Sequence, residues 1–261
     1  SVRNGAAGGQ RGQARIAGGF TANSNISVTA NGTVSLTVSG TPGTYQSGGP
    51  APGQALIGNF GNGLSGLVGG NISITSTHGD ITLLSDEDGG FVSIGNLGGA
   101  TTTSGNVLVS ALNGTVSIAA NGGVASSFDN GANATLSYAS IAEIGNSTST
   151  GNVTGNINVN AKQLTIDASG ESAVATLGHL GDNAAGSQSG SITANISQSM
   201  SVLASGDSSV AQVGHWSDVD TTGGETGAIN ITVGTACHLS ATGDESRAII
   251  GQGGPQFRSQ G

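Results

Sequence analysis

His179 and His215 stand 36 residues apart, and each directly follows an aliphatic-Gly pair, Leu177-Gly178 and Val213-Gly214. If the intervening chain makes one turn of a stack, their backbones fall within about 5 Å of each other. Two neutral imidazoles at that separation can share a metal ion. A second set is acidic: Glu171, Asp207 and Asp244 each follow a glycine, Gly170, Gly206 and Gly243. Carboxylates stacked about 5 Å apart repel one another, and a bound Ca²⁺ would relieve the repulsion. Both sets also have a purely structural reading. Asn59, Asn96, Asn146 and Gln252 take the place of the histidines after other aliphatic-Gly pairs. A column of Asn59, Asn96, Asn146, His179, His215 and Gln252, hydrogen-bonded along a tight corner, accounts for the pattern without a metal. The acids likewise suit a solvated turn after glycine. The calcium-binding Gly-Gly-x-Gly-x-Asp nonapeptide does not recur, and Asp86-Glu87-Asp88-Gly89-Gly90 reads as a solvated loop.

Other chemistries find fewer residues. A polysaccharide lyase or hydrolase built on stacked strands needs convergent carboxylates, or Asp with Lys and Arg, in an aromatic-lined groove. Lys162 is the single Lys and Trp216 the single Trp. Trp216 precedes Asp218 and Asp220, which allows either a small sugar-stacking surface or a loop anchor. No nucleophile elbow is present. Stretches such as 61–70 are turns rather than phosphate loops, because no helix follows them. Nine Asn-x-Ser/Thr sequons begin at Asn25, Asn31, Asn71, Asn113, Asn133, Asn146, Asn152, Asn195 and Asn230, as a chain rich in Asn, Ser and Thr produces without selection. Cys237 lies on an alternating strand and is expected to point inward as a small apolar residue.

The elements that hold these residues repeat. The aliphatic-Gly-polar triplet recurs at Ile57, Ile94, Ile144, Leu177, Val213 and Ile250, with glycine spacings of 37, 50, 33, 36 and 37. The longest spacing carries an insertion around 122–140. Three residues before each glycine stands Ala55, Val92, Ala142, Ala175, Ala211 or Ala248. Small-then-branched alternation marks a strand with one buried face. Upstream lie two further alternating runs per repeat, such as 25–28 with 34–38, 71–74 with 81–84 and 156–159 with 164–166, separated by turns such as Asn31-Gly32 and Asn113-Gly114. Asn-Gly alone can signal a hairpin. Three short strands recurring every 36 residues or so instead fit a parallel β-helix, read as strand, turn, strand, turn, strand, loop. Residues 13–18, Gln-Ala-Arg-Ile-Ala-Gly, are a degenerate copy of the Gln54–Gly58 segment.

Composition agrees. Of 261 residues 48 are Gly, 8% are charged and 3% aromatic. Such a chain buries thin apolar stripes rather than one thick core. A net charge of −9 with six Lys plus Arg excludes the basic track of a nucleic-acid binder, and no run is long and apolar enough to insert in a membrane. A lone cysteine excludes an internal disulfide framework.

The segments 175–181, Ala-Thr-Leu-Gly-His-Leu-Gly, and 211–215, Ala-Gln-Val-Gly-His, together with Gly155-Asn156-Ile157-Asn158-Val159, resemble the repeats of filamentous-haemagglutinin-like exoproteins of bacterial two-partner secretion. In that family an Ala-x-Ile-Gly-His-Gly-Gly core alternates with Gly-Asn-Ile-x-Val. The segment 248–254 carries Gln252 in place of the histidine. The resemblance spans most of 50–254. It implies a right-handed β-helical fibre exported through an outer-membrane partner and displayed on the bacterial cell surface, with adhesion, aggregation or biofilm-matrix roles. The family's secretion domain is not recognisable in the chain.

These readings converge on an all-β, right-handed parallel β-helix of about six coils with three short strands per coil. Residues 1–24 are expected to end a preceding degenerate coil, 25–254 to form the repeat array and 255–261 a tail. The expected role is a non-catalytic, secreted or surface-displayed stalk or adhesin without a cofactor, with calcium at Glu171, Asp207 and Asp244 left open. Surface glycans, other surface molecules or further copies of the chain are its expected partners, met through loops at 40–53, 122–135, 181–190 and 217–227. A β-helical polysaccharide-active enzyme and a self-assembling filament subunit are the alternatives.

Overall fold

The computed structural model describes residues 2–6, 13–16, 23–40, 43–44, 50–51, 53–61, 67–98, 102–123, 128–129, 135–136, 140–217 and 224–253. Among them the chain is all-β, without a helix, and the architecture is that of a β-helix or related solenoid. Three stacked sheets of ten, seven and six strands carry it, and their strands pair in parallel.

The seven-stranded sheet, here the spine, consists of Gln13–Ile16, Gln54–Ile57, Phe91–Ile94, Ile141–Ile144, Val174–Leu177, Val210–Val213 and Arg247–Ile250, each bonded to the next. Its register is that of the sequence repeat: Ala14, Ala55, Val92, Ala142, Ala175, Ala211 and Ala248 form one column. The second and fourth residues of each strand face the main core, where Ala55, Ile57, Val92, Ile94, Ala142 and Ile144 meet the front sheet. The glycine that closes each strand has a steric cause. A Cβ on Gly95 would stand 1.4 Å from the Gly145 carbonyl oxygen, and one on Gly178 would stand 1.8 Å from that of Gly214. Successive corners therefore touch backbone to backbone, and only glycine fits.

The ten-stranded front sheet contributes the alternating runs, with Ile72, Ile74, Ile81 and Leu83 inward and Ser73, Thr75 and Thr82 outward. Here the structure corrects the expected pair of separate strands. Ile26–Ala30 and Val34–Gly40 are distinct. Further along, the two runs merge into Val107–Ala120, Ile157–Ala168 and Ile192–Ala204. Asn113-Gly114 therefore lies inside a strand, where the pairing slips between Ala111 and Thr115. A bulge turns the corner while its neighbours keep the ladder, so no reverse turn is needed. Val2–Ala6 also joins this sheet, paired with Val34–Gly40.

The six-stranded sheet was expected to be loop. It comprises Leu97–Gly98, Thr103–Ser104, Ser147–Thr154, Leu180–Ser189, Trp216–Ser217 and Glu225–Thr226. Residues 181–190, read as a contact loop, thus belong largely to a strand paired with Ser147–Thr154. Stacking a segment on its counterpart one repeat away satisfies its backbone without hydrophobic alternation, so its composition did not announce it.

We refer to this third layer as the arm. It covers the outer face of the spine and forms a second small core of Leu56, Phe60, Phe91, Leu97, Ile141, Val174, Leu180 and Trp216. The five central spine strands, expected to bury one face, are consequently buried on both. Short antiparallel pairs sit within two of the other expected loops, Gly43–Thr44 with Pro50–Ala51 and Phe128–Asp129 with Thr135–Leu136. No helix among the described residues is long and apolar enough to cross a membrane.

Candidate functional site

The aliphatic-Gly corner sets Asn59, Asn96, Asn146, His179, His215 and Gln252 in one column at the neck of the arm. Each backbone N–H donates to the side chain one repeat on. Asn59 bonds Asn96 Oδ1 at 3.1 Å and Asn96 bonds Asn146 Oδ1 at 2.9 Å. Asn146 bonds His179 Nδ1 at 3.0 Å, His179 bonds His215 Nδ1 at 3.1 Å, and His215 bonds Gln252 Oε1 at 2.8 Å. The far end of each side chain donates to the carbonyls that close the arm. Asn96 Nδ2 reaches Gly70 O and Ser104 O at 2.9 and 2.8 Å, and Asn146 Nδ2 reaches Gly105 O and Thr154 O at 2.7 and 3.2 Å. His179 Nε2 meets Gly155 O and His215 Nε2 meets Gly190 O, both at 2.8 Å. The glycine carbonyls among them come from a second glycine column, Gly70, Gly105, Gly155 and Gly190, whose φ values of 115–139° suit glycine alone.

This network assigns the histidine tautomers. Nδ1 accepts a backbone N–H, so Nε2 carries the hydrogen and donates to a carbonyl. The rings stack with centroids 4.5 Å apart and planes 5° from parallel. Burial, reinforced by neighbouring His215, drives His179 down to about 3 against the opposing Gly155 carbonyl. Burial lowers His215 as well, opposed by the Gly190 carbonyl and Glu225. Both rings are therefore neutral at physiological pH. With each Nδ1 accepting and each Nε2 donating, the lone pairs a shared metal would need are already engaged in the ladder.

Glu171, Asp207 and Asp244 also form a column, on an exposed turn. Each precedes a residue in the left-handed region, Ser172 at φ 56°, Ser208 at 55° and Glu245 at 56°. Backbone bonds stack the turns, Ser172 N to Asp207 O and Ser208 N to Asp244 O, both 2.7 Å. Asp244 N–H also donates to Asp207 Oδ1 at 3.2 Å, so one of these carboxylates serves as an acceptor for the next turn. Among the described residues no group of three or more His, Cys, Asp or Glu side chains gathers in metal-holding geometry.

Trp216 is 1% exposed and belongs to the arm's core, so its ring presents no sugar-stacking face. Asp218, Asp220 and the Asn133 sequon lie outside the described residues, as do most of 122–135 and residues 218–223. The Asn146 sequon is fully buried in the ladder. Cys237 corrects its expectation in an instructive way. It aligns with buried Met200, yet is itself exposed, because its strand is the last of the front sheet among the described residues and no described strand covers it.

Two features escaped sequence reasoning. A second, exposed ladder runs through the Asn that opens each front strand: Asn71 N–H donates to Asn25 Oδ1, Asn106 to Asn71, Asn156 to Asn106 and Ser191 to Asn156, at 2.9–3.0 Å. The recurrent Gly-Asn-Ile triplet was its visible signal. The other is Glu143, a charged residue in a spine strand and fully buried. Its signal was an acid at a position filled by Arg15, Leu56, Ser93, Thr176, Gln212 and Ile249 in the other spine strands.

The fold and its ladders define a repetitive, parallel β-solenoid whose interior polar groups bond from repeat to repeat. No family profile, curated protein or solved structure matches the chain.

Proposed function

We propose that this chain is a segment of a non-catalytic, secreted or surface-displayed stalk, a right-handed parallel β-helix of about six coils that holds an adhesive or matrix-forming surface away from the cell. The observation that supports the reading is the corner ladder. Its Asn and His side chains, including the two histidines that could have done chemistry, are buried and, with the half-buried Gln252, bonded along the rod axis, which is how a rigid rod uses polar residues. Rungs about 4.8 Å apart give the array a length of roughly 30 Å, and its charge-poor faces suit contact with neutral surfaces such as glycans. The resemblance of its repeats to filamentous-haemagglutinin-like exoproteins carries the adhesive part of the proposal, together with export through an outer-membrane partner. Two measurements test it. Beads coated with the chain should adhere to glycan-bearing cells or matrix more than beads coated with an unrelated β-protein. A screen on acidic polysaccharides should show no cleavage, and turnover lost in the Asp218→Asn or Asp220→Asn variant would establish the enzymatic reading instead.

A further inference from the structure

Beneath the arm, the outer face of the spine carries a file of polar side chains. Ser93, Glu143, Thr176 and Gln212 are in register on four successive strands. All four are buried, and Glu143, Thr176 and Gln212 are 0% exposed. On one side of the Glu143 carboxyl, Oε2 accepts from Ser147 Oγ of the arm and from Ser93 Oγ at 3.5 Å. On the other side the bonding stops. Glu143 Oε1, Thr176 Oγ1 and Gln212 Oε1 have no partner, although Gln212 Nε2 donates to Gly251 O and Gly253 O at 3.1 Å. Three successive strands thus each bury one side-chain oxygen without a hydrogen-bond partner. A carboxylate there would be buried with neutral donors on one side and an unpartnered oxygen on the other, a costly state for a buried acid.

Among the described residues the surrounding charges do not supply the compensation. The strands beside Glu143 bring Ser93, Thr176 and Gln212, and the arm brings Ser147 and the Leu180 backbone. The titratable side chains that follow on the same course of chain, His179 and His215, are neutral and bonded into the ladder. Glu225 of the arm sheet acts on His215. Arg15 shares the file's register three strands away, beyond Leu56 and Ser93, bonded to Gln54 and stacked on Phe60 at 4.1 Å. At about 4.8 Å per strand it is some 14 Å from Glu143.

We infer that Glu143 is an internal carboxylic acid, that its uncharged form, bonded to Ser147 of the arm and Ser93 of the spine, lets the arm seat on the spine, and that its ionisation unseats the arm. Ionisation passes the acid proton to solvent hydroxide, giving water and a buried carboxylate whose donors among the described residues are Ser147, Ser93 and the Leu180 backbone, with no cation among them. Burial holds the group up to about 8, with the bonds from Ser147, Ser93 and Leu180 opposing, which places the change in mildly alkaline solution.

The test uses the whole chain with its five Glu side chains labelled at the carboxyl carbon. One resonance, absent from E143Q, is expected to titrate near pH 8. Amide exchange across Leu180–Ser189, corrected for intrinsic rate, should accelerate at least tenfold between pH 6 and 9 in the native chain and stay level in E143Q, whose amide preserves the uncharged shape. A Glu143 resonance that titrates in the ordinary range near 4.3 overturns the inference. So does alkaline loosening unchanged in E143Q, or a resonance that follows calcium and chelator rather than pH. Should E143Q not fold, S147A decides: a displaced Glu143 midpoint supports the inference, and an unmoved midpoint refutes it.

Discussion

His179 illustrates how a residue type associated with chemistry can be recruited for its shape. Its two nitrogens act as one acceptor and one donor at opposite ends of a rigid ring, a role Asn fills at the same corner elsewhere. His179→Asn should therefore cost little, whereas His179→Ala strands the buried Asn146 N–H and the Gly155 carbonyl and should lose about 1–3 kcal/mol, read from urea unfolding. The neighbouring glycine is stricter. On Gly145 a Cβ would stand 1.8 Å from the Gly178 carbonyl oxygen, while on Gly32 it would meet nothing within 4 Å. Gly145→Ala is expected to abolish folding or lose about 4 kcal/mol or more, and Gly32→Ala to stay within about 0.5 kcal/mol, by the same measurement. Both contrasts concern residues whose place in the repeat was visible by eye. The tautomer of His179 was not, because it depends on which carbonyl lies at the far side of the arm's neck.

At the scale of the element, the spine strand and the front strands were legible, since inward alternation of Ala with Ile, and of Val with Ile, is set by the period of a strand. The arm was not. Ser147–Thr154 and Leu180–Ser189 are rich in Gly, Ser, Thr and Asn, and their strand character comes from pairing with each other rather than from any pattern within either. The two Asn ladders hold the elements unequally. Asn96 is buried and ties the arm's neck through Gly70 and Ser104, whereas Asn71 is exposed and bonds only the start of a front strand. Asn96→Ala should accelerate amide exchange in Leu97–Gly98 and Thr103–Ser104 by an order of magnitude or more. Asn71→Ala should change exchange at Asn106 and its neighbours several-fold less. Mass-spectrometric hydrogen exchange distinguishes the two.

For the whole molecule, two buried groups set opposing pH dependences. His179 falls from 6.5 when unfolded to about 3 in the fold, so its contribution is present above 6.5 and is lost as pH falls toward 3. Glu143 rises from 4.5 to about 8, so its contribution is present below 4.5 and is lost as pH rises through 8. Each slope is about 1.4 kcal/mol per pH unit. Between 4.5 and 6.5 the two cancel, and outside that window only one of the pair contributes a slope. Thermal unfolding across pH 3–9 should show a broad maximum near pH 4.5–6.5 with losses on both sides, and E143Q should lose the alkaline loss alone. The sequence by itself determined the repeat, its register and the glycine at every corner. Those depend on local alternation and on contact between copies of one motif, and both recur along the chain. Only the tertiary structure decided that a third sheet roofs the spine, that Trp216 is core rather than surface, and that Glu143 is sealed in an uncharged seam. Burial on a strand's second face depends on what folds over it, and here the covering segment carries no pattern of its own.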